Sequence, residues 1–133
     1  MSSPFKILFV SRHNSVRAPI AVALTQKIAG SAVEAKSAGT EFEECSADVA
    51  AFVKQLTGMP VPEWCSLDDM ADQSFDLIIT LCDKSHTAIA EHPLDTQHIR
   101  WDMHRPNNTE QLKHLEIELS ERLHLMLQVK HLL

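Results

Sequence analysis

The chain has 133 residues, of which 44% are hydrophobic and 23% charged, and its formal net charge is −6. This length and composition exclude a collagen-like, coiled-coil or disordered chain and predict one globular domain over residues 1–133. The acidic balance argues against a general nucleic-acid or anionic-membrane partner, since both surfaces repel an acidic protein.

Targeting segments, cysteines and histidines indicate the compartment of the protein and its need for a metal. The N-terminal apolar run is too short for a signal peptide, and no stretch is long enough to span a bilayer. Cys45, Cys65 and Cys82 form no C-x-x-C pair, which is typical of a reducing compartment. The eight histidines lack metal-ligand spacing. We therefore expect a cytoplasmic protein without a metal or cofactor.

In chain order, the first half alternates between strands and helices. Residues 5–10 predict a short buried strand, the polar segment 11–17 follows, and apolar residues at helical spacing predict a helix from about residue 18 to Gly30. Residues 33–38 predict a second strand whose polar alternation suits a sheet edge. Ser46 and Gly58 are suited to begin and end a second helix. Residues 66–69 resemble a capping box that opens a short helix.

The second half continues the alternation. The apolar residues 75–81 predict a central strand covered on both faces, and a helix is expected over residues 84–91. Residues 98–101 predict a fourth strand, and Asn108 or Thr109 is suited to cap a final helix that reaches about Lys130. This order predicts an α/β fold, with a parallel sheet, right-handed crossovers and helices on both faces.

The polar segment after the first strand is the best candidate for a binding site. Ligands of such sheets bind at the carboxyl ends of the strands, and backbone N–H groups at a helix N-terminus attract anions. Arg17 offers a planar fork for two oxygens of a phosphate-like group, and Asn14 can brace the loop by bonding its own backbone. An ordinary connection with a surface arginine remains an alternative. The predicted anion-binding residues are Ser11, Arg12, His13, Asn14, Ser15, Val16 and Arg17.

The same segment carries a resemblance to a known family. The sequence ILFVSRHNSVRAPIA over residues 7–21, SAGT over 37–40, FDLIITLCD over 75–83 and the stretch 101–106 occur in the order expected of that family. Together they resemble the low-molecular-weight tyrosine phosphatase and arsenate reductase family. The resemblance implies three layers around a four-stranded parallel sheet in strand order 2-1-3-4, with an oxyanion site in the loop.

Three positions depart from the catalytic residues that the resemblance implies. Ser11 stands where the family has its nucleophilic cysteine, Ala18 where it has a serine that assists the nucleophile, and Arg105 where it has an aspartate that acts as general acid. A serine hydroxyl is far less acidic than a thiol, and an arginine does not deliver a proton near neutral pH. Ser11 is therefore expected to support the loop, with proton removal by His13 as the weaker alternative.

The remaining candidates for chemistry lie in the second half of the chain. Asp102 or His104 replaces the missing general acid only if their loop is rearranged. The arsenate reductase branch uses a relay of cysteines to resolve an oxidised sulfur. Cys82 matches one relay cysteine, whereas the position of its partner holds Ile89. A redox role for Cys82 is therefore secondary to packing at the end of a buried strand.

The final helix, over residues 109–133, predicts two apolar surfaces. One stripe should pack on the sheet and consists of Leu112, Leu115, Leu119, Leu123 and Met126. Apolar residues left outside this stripe favour equally a helix covered by a neighbouring loop and a homodimer contact. They are Ile117, Leu125, Val129, Leu132 and Leu133.

These observations favour a binding protein over an enzyme. We expect a pseudo-phosphatase that holds phosphate, sulfate, an arsenate-like anion or a phosphorylated protein without efficient turnover. Two enzyme interpretations remain: a phosphatase or arsenate reductase whose cysteine was engineered to Ser11, or slow phosphoryl transfer by Ser11 itself. A third class is a structural or regulatory dimerisation module that uses the final helix and has no anion affinity.

Overall fold

Strands and helices alternate along the chain. The computed structural model describes residues 3–91 and 96–133. Its main elements are β1 (Phe5–Ser11), α1 (Arg17–Ala29), β2 (Val33–Gly39), α2 (Ala47–Thr57), β3 (Leu77–Thr80), α3 (Asp83–Glu91), β4 (Gln97–Arg100) and α4 (Thr109–Val129). This is the order that the sequence predicts.

The strands of the sheet all run parallel, in the order β2-β1-β3-β4. β2 is an edge strand and β3 is central, as their patterns of apolar and polar residues predict. The four residues from Ile7 to Val10 are fully buried, because both faces of β1 are covered. The predicted fold class and strand order are confirmed.

The sheet separates two apolar cores. On one face, Ile7 and Phe9 belong to a cluster that includes residues of α1, α2 and α4. On the other face, Leu8 and Val10 pack with Ile89 of α3. Successive side chains of a strand point to opposite faces, so β1 contributes alternately to each core. The sheet is therefore the middle layer of three.

One side of α4 is buried and the other is exposed. The predicted stripe lies in the core together with Leu127. Outside it, Ile117, Leu125 and Val129 have 56, 65 and 69% of their surface exposed. Leu133 is also exposed, whereas Leu132 packs partly against the core. The expected division of this helix into two surfaces is therefore present.

Capping contacts explain where the second and last helices begin. The Ser46 Oγ accepts the N–H of Val49 at 3.2 Å, and Gly58 follows α2 with a left-handed φ of 74°. The Asn108 Oδ1 accepts the N–H of Gln111 at 2.9 Å at the start of α4. Within the two described ranges, no helix has the length and hydropathy needed to cross a membrane.

The predicted capping box is present, but the helix after it is short. The N–H of Ser66 donates to a carboxylate oxygen of Asp69 at 2.9 Å, and the N–H of Asp69 donates to the Ser66 Oγ at 3.0 Å. The residues that follow form one turn of 3-10 helix, Asp68–Met70. Aspartate thus serves as the reciprocal partner that is usually glutamate or glutamine.

The strand predicted over residues 75–81 is shorter in the structure, where β3 covers Leu77–Thr80. The apolar residues outside it still contact β1. The N–H of Asp76 donates to the Lys6 carbonyl at 2.8 Å, and the N–H of Leu81 donates to the Val10 carbonyl at 2.9 Å. β4 lies one residue earlier than predicted. Both differences concern strand ends, which an apolar pattern defines poorly.

Candidate anion-binding site

The loop over residues 12–16 joins β1 to α1 at the carboxyl edge of the sheet. Because β1 lies between β2 and β3, the loop faces the crevice where the connections of the sheet diverge. α1 begins at Arg17, and its first turn contains no acidic residue. Val16, at the N-cap position, gives no side-chain hydrogen bond to this helix. The first turn of the helix therefore does not itself neutralise the positive end.

Asn14 gives the loop its sharp turn. Its φ is 50°, in the left-handed region that asparagine tolerates better than most residues. Its N–H donates to the Ser11 Oγ at 3.2 Å, and its Nδ2 donates to the Cys65 carbonyl at 3.2 Å. The prediction that the Asn14 side chain bonds its own backbone is therefore wrong. The turn brings this side chain against the segment that precedes the 3-10 turn, a contact that local sequence does not reveal.

The end of β2 packs closely against the loop. A Cβ atom at Gly39 would lie 2.8 Å from the Asn14 Cβ and 3.1 Å from both the His13 carbonyl carbon and the Trp64 Cζ2. Only a residue without a side chain fits this contact. The Trp64 Nε1 donates to the His13 carbonyl at 2.6 Å. The shape of the loop therefore depends on two segments distant in sequence.

Arg12 lies on the outer side of the loop. Its carbonyl accepts the N–H groups of Thr40 and Glu41, both at 2.9 Å. Its Nε donates to a carboxylate oxygen of Glu41 at 3.1 Å, and the side chain is half exposed. Arg12 therefore supports the loop through its backbone and lies beside the cavity, whereas its role in anion binding stays a prediction.

Arg17 is the partly buried cation of the site. Its Nη1 donates to the Met103 carbonyl at 3.0 Å. Burial lowers the pKa of Arg17 from its ordinary value; Cys82 and Glu43 oppose this change, whereas Arg105 and Arg12 add to it. An arginine remains charged at neutral pH. The guanidinium has five N–H donors, so one contact to Met103 leaves donors for a ligand.

The environment of Ser11 lacks the groups that activate a nucleophile. Its side chain is buried, and its Oγ accepts the N–H of Asn14. In the described parts of the chain, no imidazole or carboxylate is hydrogen-bonded to it. Ala18, in the first turn of α1, is fully buried and offers no hydroxyl. The His13 Nδ1 and the Asn14 Oδ1 are buried without a partner among the described residues.

A cavity of about 900 Å³ lies beside the loop and is lined in part by Arg12, Arg17, Cys82 and Lys84. Burial alone would raise the pKa of the Cys82 thiol. Hydrogen bonds with Ser85, the charge of Arg17 and a backbone contact from Arg12 outweigh burial, so the pKa of Cys82 lies below its ordinary value. Cys82 thus faces the candidate site rather than the core, which differs from the packing role that the sequence favours.

Arg105 reaches the loop from the segment after β4. Its Nη2 donates to Glu43 at 2.5 Å, and the same carboxylate oxygen of Glu43 accepts the hydroxyl of Ser15. Asp102 is one of the two possible replacements for the missing general acid. In the structure it accepts a hydrogen bond of 2.9 Å from the His86 Nε2. His104 is exposed. Arg105 is therefore the member of this segment that borders the loop.

Sequence analysis missed a second polar cluster beneath the site. The Thr80 Oγ1 is hydrogen-bonded to the Nδ1 of His86 and, at 2.7 Å, to the Nε2 of His98. Asp83, His86 and Asp102 also lie close enough together to hold a cation. Both carboxylates are exposed, and Asp102 already bonds His86, so the hydrogen bonds explain the cluster without a metal. Its residues share no sequence motif, because they come from β3, α3, β4 and the segment after β4.

The similarity to known proteins agrees with this arrangement. A family model described as low molecular weight phosphotyrosine protein phosphatase matches residues 6–118. The chain belongs to this family. No curated protein matches the sequence. The family suggested by the sequence motifs is confirmed, whereas the loss of a catalytic cysteine at Ser11 stays a prediction.

Solved structures show how widely the fold of this phosphatase family is shared. A low-molecular-weight protein tyrosine phosphatase from T. tengcongensis is 22% identical, with a TM-score of 0.78 and coverage of 93% of this chain and 98% of that one. An arsenate reductase from Archaeoglobus fulgidus is 27% identical, with a TM-score of 0.68 and coverage of 88% and 98%. The YwlE arginine phosphatase from Geobacillus stearothermophilus is 24% identical, with a TM-score of 0.76 and coverage of 97% and 96%. Similar folds thus occur with different named activities, so function must be argued from the site.

Proposed function

We propose that this family member is a pseudo-phosphatase that binds a phosphate-like oxyanion in the loop over residues 11–17 without efficient turnover. The observation that carries the proposal is the hydrogen bonding of Ser11, whose Oγ accepts the N–H of Asn14. A serine hydroxyl needs a partnered base to become a useful nucleophile. In the described chain Ser11 bonds no such base, so it supports the turn of the loop.

Three features support oxyanion binding in the same loop. The N-terminus of α1 carries neither an acidic residue in its first turn nor a side-chain cap. Arg17 lies at that terminus, and its contact with Met103 leaves N–H donors for a ligand. The His13 Nδ1 is buried without a partner among the described residues, and it becomes a donor in the appropriate tautomer. Together they provide positive potential and hydrogen-bond donors for several oxygens of one anion.

Arg105 favours holding an anion over protonating a leaving group. The resemblance places it where the family has its general acid, and in the structure it borders the loop. A positive charge there stabilises a bound oxyanion. Replacing Arg105 with aspartate should therefore weaken anion binding.

The ligand class is inorganic phosphate, sulfate, arsenate or a phosphorylated side chain of a partner protein. The cavity of about 900 Å³ beside the loop exceeds the size of a single tetrahedral anion and adds the charge of Lys84. It therefore leaves room for the remainder of a phosphorylated partner. Free cysteines at positions 45, 65 and 82 suit the reducing cytoplasm, where we place the protein.

Calorimetric titration with phosphate, arsenate and sulfate tests binding directly. We expect saturable binding to the unaltered protein and a loss of that binding in Arg17→Ala. Lys54→Ala is a matched control, because Lys54 is an exposed cation at the end of α2. Absence of binding, or equal binding in the unaltered protein and Arg17→Ala, would refute the anion site.

Turnover is tested separately with p-nitrophenyl phosphate. We expect negligible hydrolysis by the unaltered protein and by Ser11→Ala. Ser11→Cys should gain little, because Ala18 and Arg105 still lack the assisting hydroxyl and the general acid. Efficient hydrolysis by Ser11→Cys would instead support the interpretation that a single substitution inactivates an ordinary phosphatase.

The exposed side of α4 supports a homodimer as a second proposal. Ile117, Leu125 and Leu133 border a groove of about 840 Å³ between α1 and α4, and charges of both signs lie beside them, including Lys27 and Glu121. A two-fold axis through the groove allows opposite charges to meet while the apolar side chains are buried. Sedimentation velocity should show a concentration-dependent dimer that Leu125→Glu abolishes. A monomer at every concentration would exclude this contact.

A further inference from the structure

One carboxylate links the loop to the arginine that borders it. The same oxygen of Glu43 accepts hydrogen bonds from the Ser15 hydroxyl and from the Nη2 of Arg105. Ser15 is buried in the loop, whereas Glu43 and the Arg105 side chain are partly exposed. The contact therefore joins a fixed part of the site to two side chains that can move into solvent.

Arg105 borders the space above the loop. In this arrangement the space between Arg105, Ser11 and residues 13–17 is too narrow to hold a water molecule. The larger cavity lies to one side, next to Arg12 and Cys82. An oxyanion needs more room, and the exposed Arg105 side chain is the bordering group that can move most easily to provide it.

The charge of Glu43 suits the role of an internal ligand. The hydrogen bond from Ser15 has the largest effect and lowers the pKa of the Glu43 carboxyl group; burial opposes it, and the contacts with Arg105 lower the pKa further. The group is thus a carboxylate at neutral pH. A carboxylate presents the same kind of charged oxygen to Ser15 and Arg105 as a phosphate does.

We propose that Glu43 holds the site closed, and that an incoming oxyanion binds when Arg105 exchanges the Glu43 carboxylate for the ligand. This inference rests on the proposed anion-binding function and adds its regulation. The apparent affinity of a site that must first open is reduced by the fraction of molecules that are open. The fraction of open molecules is a property of the protein alone. The affinity is therefore reduced by the same factor for every oxyanion that binds in the loop.

The test compares Glu43→Gln with Glu44→Gln by calorimetry. Both substitutions remove one negative charge from neighbouring positions, but Glu44 is exposed and only Glu43 bonds Ser15 and Arg105 in the described chain. We expect Glu43→Gln to bind phosphate and sulfate more tightly by a common factor of about tenfold, the effect of losing one charged hydrogen bond. Glu44→Gln should match the unaltered protein.

Each result separates this inference from the proposed function. If the unaltered protein binds phosphate through Arg17 and Glu43→Gln binds it no more tightly, the closing contact is refuted and the anion site stands. Equal gains in phosphate affinity in Glu43→Gln and Glu44→Gln would show a general effect of charge, and would also refute the closing contact. If neither the unaltered protein nor Glu43→Gln binds phosphate, the anion site itself is refuted.

Discussion

Arg17 and Met103, which are 86 residues apart in the chain, are joined by a hydrogen bond of 3.0 Å from the Nη1 of Arg17 to the carbonyl oxygen of Met103. The N–H of Met103 in turn donates to the Leu81 carbonyl at 3.1 Å, at the end of β3. The guanidinium at the start of α1 is thus held by the segment that also carries Arg105. The position of the Arg17 guanidinium therefore depends on the segment that carries Arg105.

The close contact at Gly39 predicts a loss of both stability and anion binding in Gly39→Ala. The added methyl group would lie 2.8 Å from the Asn14 Cβ, so the loop must shift. Overpacking of this kind costs about 1–3 kcal/mol, which urea denaturation can measure. Calorimetry should show weaker phosphate binding in the same variant.

Gly58→Ala provides the contrast, because a Cβ atom at Gly58 meets no neighbour within 4 Å among the described residues. Its φ of 74° still makes alanine unfavourable, by about 1 kcal/mol. We expect this variant to lose stability and to keep its affinity for phosphate. Equal effects of both substitutions on affinity would contradict the role of Gly39 in shaping the loop.

The buried hydroxyl of Thr80 predicts a marked loss of stability in Thr80→Val. Valine fills the same space but leaves the Nδ1 of His86 and the Nε2 of His98 without their shared partner. We expect the free energy of unfolding to fall by about 1–3 kcal/mol. Thr25→Val is the control, because the buried Thr25 hydroxyl makes only a local bond to the Ala21 carbonyl. A smaller loss in Thr80→Val than in Thr25→Val would show that the cluster adds little.

The lowered pKa of His98 predicts that part of the folding stability depends on pH. Burial, followed by the charges of His86 and Arg100, holds the pKa of His98 below its ordinary value of 6.5. The folded protein therefore binds this proton less readily than the unfolded chain. The contribution is fully present above the unfolded pKa and is lost as pH falls through the folded pKa. Tm should decline less steeply between about pH 7.5 and about pH 5 in His98→Gln, and identical slopes would contradict this assignment.

The thiols should differ in reactivity. The pKa of Cys82 is lowered, as described above, whereas burial and nearby carboxylates raise the pKa values of Cys45 and Cys65. Iodoacetamide near neutral pH should therefore modify Cys82 first, as peptide mass spectrometry can show. Arg17→Ala should slow that reaction, because it removes a positive charge that favours the thiolate. Equal labelling of the three cysteines would contradict the predicted order.

Local patterns suffice to predict most of the fold. Ser46, Gly58 and Asn108 mark helix ends because capping depends on a few neighbouring residues. The apolar run that includes β3 identifies a central strand because burial on both faces favours apolar side chains. The site loop could be located for a similar reason, since the carboxyl end of β1 is where such sheets bind ligands.

The partners of the loop could not be predicted in the same way. The contact of Asn14 with Cys65 and that of Glu43 with Arg105 connect segments whose distance in space depends on the whole fold. The Thr80 cluster arises because the register of β3 against β4 places His98 near Thr80, while α3 brings His86 to the same hydroxyl. A single sequence shows which residues are polar, but it does not show which of them meet.

The contacts that shape the loop also bear on folding kinetics. The bonds from Asn14 to Cys65, from Trp64 to His13 and from Arg17 to Met103 span 51, 51 and 86 residues. Contacts of such separation form late, since closing long segments costs entropy before the contact is made. We therefore expect the loop to take its shape after the folding transition state has been passed. An anion that binds there as proposed should then slow unfolding and leave the rate of folding nearly unchanged.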